Sequence, residues 1–391
     1  MIINNWPVYS QQEIDTVTKV LKSGKVNYWT GNESREFEQE FAKFSETTFA
    51  IALSNGTVAL DTALHALDIG HGDEVIVTSR TFLASVSSIV NSGADPVFAD
   101  VDPDTQNIDF KTIHKVLTDK TKAIICVHLA GWPCDMDPII ELAAEHGLFV
   151  IEDCAQAHGA KYKGKSVGSF GDIGCWSFCQ DKIMTTGGEG GMVTTNDRKL
   201  WSKMWSYKDH GKNWEKVYKK NHPPGFRWLH DAFGTNYRMT EMQAAIGRIQ
   251  LQYMPNWSNK RRKNAELIWQ TARNTPGLRA PNLFNTGYLH AAYKCYIFVN
   301  GLEVDRDTIM AKINNKGIPC SSGSCSEVYL EKAFDNTGLR PKNRLPIARQ
   351  LGETSLMFLC HPTLTDQDII DTCAVLREVA TDHFLNYKAS K

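Results

Sequence analysis

The sequence predicts an α/β fold: a large domain built on a sheet with helices on both faces, followed by a smaller α+β domain. Three observations carry that expectation. Between residues 51 and 200, short apolar runs alternate with stretches whose apolar residues recur every three or four positions, the pattern of strands connected by helices. Gly and Asx residues mark the changes of pattern. After Met239 the alternation gives way to one long helical stretch and then to mixed elements. A chain of 391 residues also exceeds what one undivided core holds. We therefore expect two domains, 1–250 and 251–391.

The elements follow in order. Residues 50–53 read as a strand that ends at Ser54-Asn55-Gly56. Leu60, Ala63, Leu64 and Leu67 then recur at helical spacing, and Gly70 and Gly72 stop the helix. Residues 74–78 (EVIVT) form the next strand, 82–92 a helical stretch ended by Gly93, and 96–99 a strand. Strands at 123–127 and 148–151 flank a helix over 135–146, and strands at 174–178 and 192–195 flank a glycine-rich turn. Right-handed crossovers put the loops that follow such strands on one edge of the sheet, where ligands bind. Residues 206–231 are rich in Lys, His, Trp and Pro without periodicity and read as a long surface loop. A helix over 239–263, kinked at Pro255, a strand at 293–299 and helices at 305–315 and 365–381 complete the second half.

Composition excludes several classes. The 42% apolar content is that of a globular protein, not a disordered one. With 43 basic against 44 acidic residues the net charge is −1, which argues against a nucleic-acid partner. No apolar run approaches the roughly 20 residues of a membrane helix, and MIINNWPVYS carries no basic-then-apolar leader. The ten cysteines form no C-x-x-C. The close pairs Cys175/Cys179 and Cys320/Cys325 lack His partners at zinc spacing, so we expect no metal site and a reducing, cytoplasmic setting.

Four segments carry groups capable of chemistry. In SFCQDKIMTTGGEGG (177–191), an apolar strand runs into a polar loop with one lysine, Lys182. A lysine at the end of a buried strand is held from bulk water, which favours the free amine that attacks an aldehyde. Alone, Lys182 reads as an ordinary surface lysine, and the glycine run says only that the backbone takes unusual angles. In IEDCAQAHGA (151–160), Asp153 ends a strand at the ligand edge and suits a protonated ring nitrogen. Its alternative is a helix N-cap. Gln156 can donate to a phenolic oxygen, and His158 is near. In SNGT (54–57), backbone N–H groups at a helix start and the Thr57 hydroxyl make an anion site, or a plain cap. In SRTF (79–82), Phe82 either stacks on a flat ring or belongs to the core.

Together and in this order, the segments resemble the sugar aminotransferases of the DegT/StrS family. SNGTVAL, GDEVIVTSRTF, GADPVFADVD, VHLAGWPCDMD, IEDCAQAHGAKYKGKSVGSFGDIG, SFCQDKIMTTGGEGGMVTTND, NYRMTEMQAAIGRIQL and LCHPTLT all match, over nearly the whole chain. The resemblance implies the type I fold of pyridoxal 5'-phosphate (PLP) enzymes: a central, mixed, mostly parallel sheet in the large domain and a smaller C-terminal α+β domain. It implies that Lys182 carries the cofactor, Asp153 binds its pyridine nitrogen, Gln156 its 3-hydroxyl, and Phe82 stacks on its ring, where many relatives place Trp. Ser177 and Thr57, with the Gly56 backbone, would hold the phosphate. Asn236 would reach the phosphate of the partner subunit's cofactor, making the working unit a homodimer with shared active sites. The implied reaction moves an amino group from L-glutamate to a nucleotide-linked keto-sugar.

Lys182 argues against the dehydratase branch of the family, which carries His there. Lys294 stands where many relatives have His, and the 206–231 loop is longer than in some. SFCQDK…TTGGEGG resembles the branch acting on 4-keto sugars, and GIPCSSGSCSEVYLEKAF (317–334) resembles enzymes making 4-amino-4,6-dideoxyglucose on dTDP. A 3-keto or a UDP- or GDP-linked substrate is the alternative within the family. Outside it stands a non-catalytic regulator of the same fold, against which the intact Lys182, Asp153 and Ser177 weigh. A nicotinamide enzyme would need G-x-G-x-x-G after the first strand, which SNGTVAL lacks.

Overall fold

The computed structural model describes residues 5–219, 227–282, 287–300 and 305–390. A seven-stranded sheet forms the centre, in the order 49–53, 191–195, 173–177, 149–153, 121–127, 74–78, 95–99. Its strands are parallel except Gly191–Thr195, which runs against both neighbours. Central strands are apolar on both faces, as burial under two helical layers demands: Val75, Ile76 and Val77 are fully buried, as are Ile124 and Ile125. The expected α/β sheet is therefore present, with each strand within a residue or two of its expected bounds. The parallel strands end on one edge, which gathers Ser54–Thr57, Ser79–Phe82, Asp153–Gln156 and Ser177–Lys182.

A second, antiparallel sheet lies C-terminal, in the order 278–279, 295–299, 355–358, 320–321. It packs with Arg306–Asn315 and Asp366–Ser390 around a separate core that includes Ile297, Ile309, Leu356 and Leu376. The helix Glu241–Arg273 serves both cores. Its first half lies against Gln11–Ser23 and Glu33–Phe44, while Ala265, Ile268 and Trp269 belong to the second core. The expected boundary at 250/251 falls inside this helix.

Three expectations need correction. The helix begins in a Thr240–Gln243 capping box and runs through Pro255 for ten residues beyond residue 263. The stretch 206–231 is not one loop. Its start belongs to the helix Arg198–Lys208, and Trp214–Tyr218 is a further short helix; residues 220–226 lie outside the described residues. Both helices are capped, by Asp197 and Asn213, and they pack through Trp201, Trp205, Trp214 and Tyr218. That aromatic periodicity stands in place of the aliphatic one the reading sought. The C-terminal helix extends to Ser390. Among the described residues no helix is long and apolar enough to cross a membrane.

Candidate active site

A cavity of about 820 Å³ opens at the carboxyl edge of the large sheet. Seven of the eight expected site residues line it: Gly56, Thr57, Phe82, Asp153, Gln156, Ser177 and Lys182. Asn236 does not. It is exposed and bridges to Asp209 away from this chain's cavity. The opposite wall comes from the second sheet and its loops, through Tyr293, Lys294, Tyr296, Met357, Gly323 and Ser324.

The anion cradle rests on a close approach. Asn55 caps the helix Gly56–Ala66, its Oδ1 accepting the Val58 N–H at 3.0 Å. The Gly56 and Thr57 N–H groups then have no intrahelical partner. A Cβ on Gly56 would sit 2.6 Å from the Ser177 Cβ, so only glycine lets the Ser177 hydroxyl meet this helix start. Asn55 is thus the cap, and the unpaired N–H groups that could take an anion lie beside it.

Asp153 is 6% exposed at the end of Phe149–Asp153. Its Oδ2 accepts the Ser85 hydroxyl at 2.8 Å, and its Oδ1 accepts the Ala155 N–H at 3.1 Å. The residues after it form turns rather than a helix, so the N-cap alternative falls. Thr81 lies 2.8 Å behind Ser85, hydroxyl to hydroxyl. Gln156 uses its Oε1 on the Ala130 N–H at 2.8 Å, which leaves its Nε2 hydrogens as donors. Phe82 is 70% exposed at the cavity wall, not in the core. His158 is fully buried among Phe41, Trp176 and Phe178 with neither ring nitrogen partnered. Burial, with Lys182 and Arg261 nearby, pushes its pKa down to about 3, so it is a neutral wall behind the site.

Lys182 sits in a turn beyond Ile173–Ser177 and is half-buried, more open than the expected strand-end burial. Its backbone is pinned instead. The Trp6 indole donates to the Lys182 carbonyl at 2.8 Å, and the Lys182 N–H donates to the Cys179 carbonyl at 3.1 Å. Further along the loop, the Thr185 N–H donates to Gln250 Oε1 at 2.8 Å. The Lys182 ammonium lies 5.1 Å from the centre of the Tyr293 ring. Tyr293 donates its hydroxyl to Asp181. Burial raises the Asp181 carboxyl, but Lys182, Tyr293 and Lys294 outweigh it and hold it below the usual range.

Sequence reasoning gave no role to Ser85, Tyr293, Tyr296, Asp181 or Ser324. The signal available for Ser85 was its place in the first turn of the helix Ala84–Ser92, which leaves the ligand edge. The others come to the site only through the second sheet or through adjacency to Lys182. His128, Glu152 and Cys154 lie together as possible metal ligands. Glu152, however, is occupied: it takes His128 Nε2 at 2.9 Å and the N–H groups of Gly168, Phe170 and Gly171. That group is a structural knot.

The cavity suits PLP on its own evidence. It joins a cradle that a Cβ would fill, a buried carboxylate fixed by two donors, and one lysine on a pinned turn. Fold and site together define the class: an α/β aminotransferase that works through pyridoxal 5'-phosphate. The chain belongs to the DegT/DnrJ/EryC1/StrS aminotransferase family, whose sequence model matches residues 7–377. An aminotransferase of known crystal structure from Psychrobacter cryohalolentis is 60% identical, with a TM-score of 0.96 over 98% of this chain and 100% of its own. GDP-perosamine synthase of Escherichia coli O157:H7 is 37% identical over 96% of this chain and 98% of its own length. The dTDP-3-amino-3,4,6-trideoxy-alpha-D-glucose transaminase of Streptomyces venezuelae is also 37% identical, over 93% and 91%.

Proposed function

We propose that this sugar aminotransferase moves an amino group from L-glutamate to dTDP-4-keto-6-deoxyglucose, giving dTDP-4-amino-4,6-dideoxyglucose for O-antigen or other surface polysaccharide. The observation that carries the aminotransferase reading is one cavity holding Lys182, Asp153 and the Gly56–Ser177 cradle. The likeness of residues 317–334 to enzymes of that product supports the sugar, and Gly323 and Ser324 of that segment line the cavity. The names of two relatives favour a second reading, a GDP-linked or a 3-keto substrate.

When bound, PLP supplies an aldehyde that takes up the amino group and a ring that accepts the electron pair left at the substrate carbon. The chain's residues do the rest. Lys182 Nζ would hold the cofactor, and as a free amine it would move a proton at the substrate carbon that bears the nitrogen. Asp153, oriented by Ser85 and the Ala155 N–H, would pair with the pyridine nitrogen and keep it protonated. Gln156 would donate to the 3-hydroxyl, Phe82 would cover the ring, and Thr57, Ser177 and the Gly56 backbone would hold the phosphate.

The working unit is a homodimer in the cytoplasm, with Asn236 completing the partner's phosphate site. Phe233 is fully exposed and Trp228 is 84% exposed near Asn236, a surface that favours cover by another chain. Hybrid dimers of Lys182→Ala and Asn236→Ala subunits regain one intact site; failure to exceed both parents would contradict sharing. The substrate is tested with glutamate against dTDP-, UDP- and GDP-linked keto-sugars, using NMR to locate the new nitrogen. Preferred turnover of dTDP-4-keto-6-deoxyglucose with nitrogen at C4 is expected; preference for a GDP sugar or amination at C3 would replace the first reading with the second.

A further inference from the structure

Two lysine ammonium groups lie close to the Tyr293 ring. Lys182 Nζ lies 5.1 Å and Lys294 Nζ 4.7 Å from the same ring centre. The two ammonium groups can therefore be no further apart than the sum of those distances, within the reach of one bound substrate. Lys294 lines the cavity with its side chain 21% exposed. Its one acidic neighbour among the described residues is Asp181, at 3.9 Å. Surface lysines such as Lys161 and Lys203 sit 2.6 Å from their carboxylates, and the buried Lys208 sits 3.4 Å from Glu38, so the Lys294 pair is the looser contact. Asp181 is moreover taken up by the Tyr293 hydroxyl.

Behind this wall lies Arg261, fully buried, with its Nε and one terminal nitrogen unpartnered. Three cations thus surround one carboxylate. Burial lowers the Lys294 pKa, and Arg261 and Lys182 add to that against Asp181. An ammonium kept partly dehydrated at a cavity wall, without a close anion, costs free energy that a bound anion returns.

We infer that Lys294 is a substrate-binding residue whose ammonium takes an oxyanion of the incoming substrate, a carboxylate oxygen of the amino donor or a phosphate oxygen of the nucleotide sugar. The inference rests on the aminotransferase reading, since both substrates of that reaction are anions and both must bring a carbon to Lys182.

The test uses the PLP-loaded full chain with Lys294→Met, which removes the charge at similar length, and Lys294→Arg, which keeps it. Calorimetry measures binding of maleate, an unreactive dicarboxylate, and of dTDP. The two half-reactions are followed separately, with glutamate alone and with keto-sugar alone. Lys294→Met is expected to weaken one ligand and raise the matching KM by about ten- to a hundredfold, the loss of one charge-assisted hydrogen bond, with a much smaller change in kcat. Lys294→Arg retains most of the binding. An effect on maleate and glutamate assigns Lys294 to the donor's carboxylate; an effect on dTDP and keto-sugar assigns it to the phosphate. Unchanged binding and KM in both arms overturns the inference. So does loss of folding or PLP content in both Lys294→Met and Lys294→Gln, which makes the residue structural. If wild type aminates no nucleotide sugar, the functional reading fails, while the maleate and dTDP titrations still decide the role of Lys294.

Discussion

A hydroxyl that carries no motif sets the orientation of a central carboxylate. Ser85 donates to Asp153 Oδ2 at 2.8 Å in a buried setting, so Ser85→Ala leaves that oxygen short of a donor. We expect kcat to fall several-fold in Ser85→Ala and by a larger factor in Asp153→Asn, where the charge opposite the ring nitrogen is gone. Steady-state kinetics on PLP-saturated enzyme checks the order, and a Ser85→Ala enzyme worse than Asp153→Asn would contradict it. At this scale the sequence was most legible where one contiguous segment supplies both a group and its setting. Asp153 with Gln156 and Gly56 with Thr57 are such pairs, and all four line the cavity together with Lys182. Ser85, Tyr293 and Asp181 were not legible as site residues, because their roles depend on partners far away in the chain. Tyr293, for example, meets Asp181 only because the second sheet folds back over the loop.

The Lys182 loop is held by a helix as well as by its own residues. Gln250, fully buried on Glu241–Arg273, accepts the Thr185 N–H at 2.8 Å and donates to Glu13 at 2.8 Å. One side chain thus ties the loop to the first helix. Gln250→Leu strands a buried N–H and a carboxylate oxygen, and it should lower unfolding stability by about 1–3 kcal/mol and raise the Kd for PLP. Denaturant unfolding and PLP titration check both, and an unchanged midpoint would contradict the account. The strands were legible as elements, since burial on both faces writes them as continuous Val/Ile runs such as EVIVT. Arg198–Lys208 and Trp214–Tyr218 were missed because tryptophan and tyrosine, spaced by four, form their inner face. The helix was placed to end at residue 263, but it runs to Arg273 with Pro255 inside it.

Across the whole molecule, burial keeps several imidazoles neutral. His158 and His290 are fully buried with pKa values pushed down to about 3, and His361 to about 4. Burial is the leading cause in each. The folded state therefore binds fewer protons than the unfolded chain below the ordinary histidine value near 6.5. Stability is full above that pH and is lost as pH falls from about 6.5 toward 4, at up to about 1.4 kcal/mol per pH unit for each such group. Chemical denaturation at a series of pH values should show this slope, and a flat profile between pH 6.5 and 4.5 would contradict it. We propose that the two cores mark two domains, 1–250 and 251–391, with Glu241–Arg273 as the shared beam and the cavity where they meet. The change of pattern after Met239 marks the start of the long helix, but its packing on both sides was not legible, because periodicity alone does not say which partners a helix meets. The central claim is that Lys182 is the residue that binds the cofactor. Borohydride reduction of the PLP-loaded protein, followed by peptide mass spectrometry, tests it most directly. The account predicts a pyridoxyl group on Lys182 and none in Lys182→Ala; a label on Lys294 or any other lysine instead would contradict it.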